Sequence, residues 1–561
     1  TFKTLFSYNS DMRIDEYFLP ANVQPNNGST TQGTTSTLSI SRTGIQNTLT
    51  YNTTLNKKHA LEILLGQSID ERNEFRTSLG AMDYPLESVP TLNMGATPTE
   101  ASSSRTIVRT SSLFGRVNYN YADKYLASAS VRRDGSSRFG PGNRWAVFPS
   151  VSAGWKISGE EFMKDIKVIN LLKLRASWGM SGNDRIGTAD YIPNYDVTNT
   201  VYGGTSQVGV YAKNIANDKL KWETTKAFDI GFDLSFLQRI HLTFDFYNEE
   251  TSDALFEIPL SMTTGISKTY QNIGSIRNQG LDLMLSTRNI DTKDFTWTTS
   301  INANFNKNKI LSLGDNDEDI LKNEWVSGAS ILRVGESVGS FYGYKRLGVY
   351  TIEDYEAGNC QKKQIGRAKR SSEREIIGKG VPDWTGSMIN TLRYKNWDFT
   401  LDLQFVAGVQ TLQQFYHSTY DRFGQTNGLT NILYDAYNGT NPNSMQQAIW
   451  LFNGGHAGQD TLTDSQWVAN GSYLRANLIQ LGYTFDSNQL AKTPFSSLRL
   501  YLNVNNAFLI TAKDFNGYDP ESTSQISTSN GSVSPEQFGQ NMAFFSYPRA
   551  RTFTLGVNVI F

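Results

Sequence analysis

The feature that most constrains this chain is a period of two that recurs along its length. It is clearest in the last stretch, R-T-F-T-L-G-V-N-V-I-F (Arg551–Phe561). Phe553, Leu555, Val557, Val559 and Phe561 fall on one face, and Thr554, Gly556 and Asn558 on the other, with Ile560 the one apolar intruder. Successive side chains of a strand point to opposite faces, so this stretch predicts a strand with an apolar side and a polar side. One such strand suits a soluble sandwich as well as a membrane barrel. The recurrence is what decides.

The same alternation appears at Thr1–Asp11, Gly44–Asn56, His59–Arg72, Thr106–Tyr121, Tyr125–Arg133, Arg144–Ile157, Leu171–Met180 and Trp222–Phe236. It continues at Arg239–Asn248, Gly274–Thr287, Phe295–Lys307, Thr385–Tyr394, Trp397–Val406, Tyr473–Phe485 and Leu498–Leu509. With the last stretch that makes roughly sixteen strands, many of them long enough to cross hydrocarbon at a tilt. In the middle of the chain Phe228, Ile230, Phe232, Leu234 and Phe236 oppose Asp229, Gly231, Asp233 and Ser235. Trp397, Phe399, Leu401, Leu403 and Phe405 oppose Asp398, Thr400, Asp402 and Gln404. In Tyr473–Phe485 the apolar phase slips between Leu478 and Ile479, which predicts a bulge. Helical periodicity is confined to hints at Gly159–Asn170 and in parts of the long loops.

Alternation does not say which face is wet, but loop lengths do. Short connections (Lys57–Lys58, Ala122–Lys124, Leu237–Gln238, Arg288–Asp294, Lys395–Asn396) alternate with long ones. The long ones are Met12–Thr43, Asn73–Arg105, Ser181–Lys221, Glu249–Ile273, Asn308–Trp384, Ala407–Ser472 and Ile510–Ala550. The rhythm breaks once, where Asp134–Asn143 and Ser158–Asn170 are of similar length. Short periplasmic turns and long outer loops are the pattern of outer-membrane barrels. The expectation is therefore that Phe, Leu and Val meet lipid, while Asn, Asp and Thr meet water within.

Composition agrees with that expectation. Hydrophobic residues are only 38% of the 561, and no apolar run is long enough for a transmembrane helix. A barrel escapes that test, because only alternate residues need be apolar. The formal net charge of −1 gives no electrostatic case for nucleic acid. Cys360 is the one cysteine, so no intrachain disulfide forms, and it reads as an inert loop thiol. No signal peptide opens the chain, and Thr1 already begins a strand-like run, which suggests a mature or truncated piece of something longer.

Several motifs carry a resemblance. They are S-V-R-R-D-G-S-S-R-F-G-P-G-N-R-W-A-V-F-P-S-V-S-A-G-W-K-I (Ser130–Ile157), L-L-K-L-R-A-S-W-G-M-S-G-N (Leu171–Asn183), L-K-W-E-T-T (Leu220–Thr225) and Q-N-I-G-S-I-R-N-Q-G-L-D-L (Gln271–Leu283). Phe295–Ile310, I-G-K-G-V-P-D-W-T-G-S (Ile377–Ser387), L-R-Y-K-N-W-D (Leu392–Asp398), G-Y-D-P-E-S (Gly517–Ser522) and Y-P-R-A-R-T-F-T-L-G (Tyr547–Gly556) add to them. Together they resemble the barrel of the SusC/RagA-type TonB-dependent transporters, the nutrient importers of the Bacteroidetes outer membrane. A final strand ending in Phe likewise resembles the recognition signal for barrel assembly.

The resemblance implies an all-β fold, a transmembrane antiparallel up-and-down β-barrel with long extracellular loops. Residues 1–561 would supply about 16 strands of an expected 22 or so, without the amino-terminal plug, the TonB-contacting segment and the first strands. It implies import of oligosaccharides or peptides, a SusD-like surface lipoprotein as lid, energy from TonB through a plug not in this chain, and contact with outer-membrane lipid and lipopolysaccharide. One segment departs from the family pattern. Gly358–Arg374 is basic (Lys362, Lys363, Arg367, Lys369, Arg370) where the family often carries Asp, Asn and Gly.

The candidate ligand contacts are aromatics of the long loops: Tyr202, Tyr211, Trp325, Tyr342, Tyr344, Tyr416, Tyr420, Tyr434, Tyr437, Trp450 and Trp467. Flat rings with polar tips stack on sugars or pack on peptide side chains, although each could equally pack one loop on another. Asp315, Asp317 and Asp319 lack the glycine and the bidentate Glu of a calcium loop, and read as a solvated acidic loop. Lys362–Arg374 reads as a solvated basic loop. The four histidines have no metal spacing, and no catalytic motif appears, so neither a cofactor nor an enzyme is expected. The alternatives to an importer are a passive porin formed by this chain alone, and a soluble adhesin that the loop rhythm disfavours.

Overall fold

A computed structural model describes residues 1–21, 30–188, 190–266, 268–322, 329–419, 427–430, 432–449, 462–521, 541–543 and 548–561. Strands hold 64% of the described residues and helices 6%. Seventeen strands form one antiparallel sheet. One of them, Leu509–Thr511, is a short continuation after Ser497–Asn505, and the other sixteen fall on the sixteen alternating stretches. Each pairs with its sequence neighbours in the sheet, as a meander requires.

The strands are longer than the alternation. Gln32–Leu55 and His59–Met82 stay in one unbroken register from Leu55↔His59 to Gln32↔Met82. Much of the expected loops Met12–Thr43 and Asn73–Arg105 is therefore ladder: Phe2–Leu19 runs on past Asp11, and Thr97–Tyr121 begins well before Thr106. In those extensions the apolar alternation stops while the backbone hydrogen bonds continue.

At the short-turn ends Asn56 and Lys57, Ala122 and Asp123, and Leu237 and Gln238 all have φ between 50° and 57°. Two left-handed residues in succession match the twist of the flanking strands, although only Asn56 and Asp123 are of types that favour this. The bulge expected near Leu478 is present. Asp402 faces Leu478 and Leu403 faces Ala476, so Asn477 is the extra residue. At Gly159–Asn170 the helical hint reduces to two 3-10 turns, Ile157–Gly159 and Glu161–Met163.

Two compact units divide the chain. The first comprises Thr1–Gly154, Ser177–Lys226 and Asp253–Asn272, and the second Trp155–Ala176, Ala227–Ser252 and Ile273–Phe561. The core of the first explains two of the motifs. Phe139 and Phe148 pack on Trp222 with ring centres 5.5 and 5.6 Å apart, beside buried Leu220 and Ile186. The Trp222 indole N–H donates to the Arg144 carbonyl at 2.8 Å. The stretches R-F-G-P-G-N-R and L-K-W-E-T-T are thus two halves of one cluster. In the second unit the core lies among the long connections, around Phe341, Leu412, Tyr416, Ile432 and Trp467.

These cores are not built from the apolar faces of the sheet strands. Phe553, Leu555 and Val557 are 68%, 79% and 56% exposed, and Phe228, Ile230, Trp397, Leu481 and Leu502 are exposed as well. On the opposite face Gly231 and Ser235 are buried and Asp229 and Asp233 half-buried. A water-soluble sheet would show the reverse. Among the described residues the first strand, Phe2–Leu19, pairs with Gln32–Leu55, and the last, Thr552–Ile560, with Ser497–Asn505.

Candidate functional site

The polar face of the second unit is a continuous set of hydrogen-bonded charges, amides and hydroxyls. Its construction starts from glycine. A Cβ on Gly231 would sit 1.9 Å from the Asp245 carboxylate, and one on Gly280 would sit 2.4 Å from the Tyr247 hydroxyl. Each glycine leaves the space its strand neighbour fills. Arg175 then reaches across, donating to Asp233 and to Asp245 at 3.0 Å each. Thr243 donates to Asp233 at 3.1 Å. Asn304 donates to Asp282 at 2.6 Å and to the Tyr247 hydroxyl at 3.2 Å, and Tyr247 in turn donates to Asn306 at 3.1 Å. Farther round, Arg499 grips Asp398 with two bonds of 3.0 and 2.6 Å, the planar fork matching the planar carboxylate. Such a surface hydrates well and can exchange hydrogen bonds with a polar solute.

The second feature is a folded cap made from the long connections of the same unit. A four-stranded sheet (Ile320–Lys322, Ser330–Leu332, Ser340–Val349, Ala368–Lys379) and a three-stranded one (Val468–Asn470, Gln410–Gln413, Met542–Ala543) contribute to its core. The cap is pinned by a buried carboxylate. Asp464, fully buried, accepts from Arg346 Nε at 2.8 Å and Arg370 Nε at 2.7 Å, and from the Gln466 backbone at 3.0 Å. Arg346 also donates to the Met445 carbonyl at 3.1 Å. The basic run thus differs from the solvated loop expected of it. Its second half is strand, Arg370 serves the clasp, and Lys369 pairs with Asp354 at 2.8 Å. The Asp354 carboxyl is held below its ordinary range, by Lys369 first and by the Thr351 backbone N–H second.

The acidic loop is likewise used internally. Asp317 accepts the Leu313 N–H at 2.7 Å, and Asp319 takes a bidentate grip from Arg333, which raises the Arg333 pKa further. Among the described residues no cluster of three His, Cys, Asp or Glu side chains could hold a metal ion. A second clasp holds the last long connection. Arg475, buried on its strand, pairs with Asp519 at 2.5 Å and Glu521 at 3.3 Å, and Arg549 meets Glu521 at 3.0 Å. The motifs G-Y-D-P-E-S and Y-P-R-A-R-T meet here.

The aromatics expected to contact ligand divide by environment. Tyr416, Tyr437 and Trp467 are buried: Tyr416 and Trp467 belong to the cap core, and the Tyr437 hydroxyl accepts the Ile352 N–H at 3.1 Å. Those three pack. Tyr342 and Tyr344 are half-buried on Ser340–Val349, with the Arg333 and Arg374 guanidiniums over the Tyr342 ring at 5.3 and 4.7 Å. Tyr434 is exposed, as are Tyr202 and Tyr211 on the hairpin Tyr195–Tyr202/Thr205–Ala212 in the first unit. Trp325, Tyr420 and Trp450 lie outside the described residues. The hairpin itself was legible in Gly203-Gly204, a left-handed pair between alternating stretches, although the loop reading passes over it. Arg346, Asp464, Arg475 and Asp519 carry no local signal, since each finds its partner many residues away.

Residues 1–507 match the family model described as TonB dependent receptor-like, beta-barrel. TonB-dependent receptor P3 of Formosa agariphila is 34% identical across the whole of this chain, which covers 56% of that protein. TonB-dependent receptor SusC of Bacteroides thetaiotaomicron is 32% identical over 80% of this chain and 43% of its own length. The chain thus spans about half the length of the curated relatives it matches. Among solved structures, a chain of the RagAB peptide transporter superposes with a TM-score of 0.82 at 21% identity, over all of this chain and 60% of that one. On the polar face, the exposed apolar strands and these matches together, the chain belongs to the TonB-dependent receptor β-barrel family.

Proposed function

We propose that this chain forms wall and outer loops of a SusC-type nutrient importer of the bacterial outer membrane. In this reading the polar face lines the path of an oligosaccharide or peptide, and the cap and the exposed Tyr202, Tyr211 and Tyr434 meet substrate or a SusD-like lipoprotein lid. TonB supplies energy by acting on a plug that is not part of this chain. The observation that carries the reading is the inversion of the sheet, with Phe, Leu and Val exposed and the carboxylates, amides and hydroxyls linked to one another. Only a lipid environment stabilises that arrangement. The second reading is a passive porin made of this chain alone, which would need a closed ladder.

The test is uptake. Cells expressing the full-length receptor are expected to accumulate labelled oligosaccharide or peptide in a TonB-dependent way, and to lose uptake when TonB is deleted. Uptake unchanged without TonB would contradict the proposal. Steady conductance from residues 1–561 alone in planar bilayers would favour the porin.

A further inference from the structure

Three cations crowd the outward face of the second unit, at the long-connection end of two neighbouring strands. On Phe295–Leu313 that face carries exposed Trp297, while Asn304 and Asn306, turned the other way, belong to the polar network. Aromatic pairs mark the limits of its apolar part. Phe295 meets Tyr394 with ring centres 6.5 Å apart, and Phe305 meets Trp384 at 4.8 Å. From Phe295 to Phe305 the strand runs about 34 Å, or about 25 Å of height at the tilt of a membrane barrel, which is the depth of an apolar band. The same face continues with Lys307 and Lys309, both exposed. Arg277, on Lys268–Asp291, lies directly opposite Lys309.

We infer that this cluster seats the phosphate monoester of a multi-acyl lipid, as in lipid A. Like charges directly across a ladder repel, so an anion among these three cations relieves them. Glu250 supplies part of that anion, meeting Arg277 at 3.4 Å. Arg277 Nε nevertheless stays buried without a hydrogen bond, and among the described residues Lys307 and Lys309 have no ion-pair partner. Glu336 joins this strand through its backbone, its carbonyl accepting the Ile310 N–H at 2.8 Å. Arg277, Lys307 and Lys309 against Glu250 leave a double positive charge. A phosphate monoester carries about two negative charges at neutral pH, and a phosphodiester headgroup about one. Acyl chains of the same molecule would cover exposed Leu281 and Trp384, which a free phosphate does not. The seat rests on the importer reading, which sets this end of the sheet in the outer leaflet, and it adds a lipid ligand on the side away from the solute path.

The test uses the full-length receptor in neutral detergent, titrated with monophosphoryl lipid A, with the same lipid dephosphorylated, or with phosphatidylglycerol. Native mass spectrometry counts the complexes. Monophosphoryl lipid A is expected to bind about tenfold more tightly than either of the others. Lys307→Gln with Lys309→Gln should weaken its binding about thirtyfold, and Lys307→Arg with Lys309→Arg should keep it. Lys293→Gln with Lys395→Gln removes the same charge at the short-turn end and should change nothing. Equal binding of the three lipids, unchanged binding in the Lys307/Lys309 glutamine pair, or an equal loss in the short-turn pair would overturn the seat. TonB-dependent uptake, followed in cells carrying the wild-type receptor, separates the two ideas. Uptake without selective lipid binding removes the seat alone, whereas selective binding without uptake removes the importer reading and leaves the seat.

Discussion

Asp464 shows how much can rest on one carboxylate in a loop-built cap. It is fully buried, and Arg346 and Arg370 both depend on it. Replacing it by Ala leaves two guanidiniums without their counter-charge, which for a buried pair typically costs about 3–5 kcal/mol. The predicted outcome for Asp464→Ala is a sheet that still inserts in the membrane but a cap that opens, read as faster hydrogen exchange over 340–349 and 368–379. Unchanged exchange would remove the clasp from the account. Asp354 gives a pH signature at the same scale. Its pKa is lowered in the folded chain, by Lys369 and then by the Thr351 N–H, so its contribution is complete above the ordinary carboxylate range and is lost as pH falls through the lowered value. The helix Ile352–Glu356 should hold its protection from neutral pH down to the ordinary aspartate value of 3.8 and loosen only below it, and Asp354→Asn should flatten that dependence. None of these partnerships was legible in the sequence. Asp464 and Arg346 are 118 residues apart, and no spacing rule joins them.

At the scale of the element, strands were readable wherever one face had to be apolar. Trp397–Ala407 was legible almost to the residue because its apolar and polar side chains alternate without a break, and the slip at Leu478 betrayed the bulge at Asn477. The parts of Phe2–Leu19 beyond Asp11 and of Gln32–Leu55 before Gly44 were not legible, since no apolar alternation marks them. The cap sheets were missed for a related reason: five of their seven strands have four residues or fewer, and Ser330–Leu332 is buried on both sides. Turn chemistry supplies a prediction here. Lys57 is held at φ 55° beside Asn56 at 50°, a pair that Asn-Gly would adopt without strain. Lys57→Gly should stabilise the Leu55–His59 turn by about 1 kcal/mol, seen as a higher urea midpoint for the full-length receptor in detergent. A lower midpoint would mean that Lys57 contributes more through its side chain than its backbone costs. Gly231→Ala should do the opposite, because its Cβ would meet both the Asp245 carboxylate and the Phe244 carbonyl. A loss of about 1–3 kcal/mol is expected, measured in the same unfolding experiment.

At the scale of the whole molecule, the sheet shows one inversion, with apolar side chains turned outward and polar ones turned to each other. Sequence alternation contained both faces but not their sense, which came from loop lengths and is now carried by the exposure of the strands. The most direct measurement of that sense is spin-label accessibility in the full-length receptor in lipid vesicles, along Trp397–Ala407. Labels at Phe399, Leu401 and Leu403 should relax strongly with oxygen, which concentrates in hydrocarbon, and labels at Thr400, Asp402 and Gln404 with a water-soluble nickel chelate. The account predicts that two-residue oscillation in this phase. The opposite phase, or equal access to the nickel chelate on both faces, would contradict it.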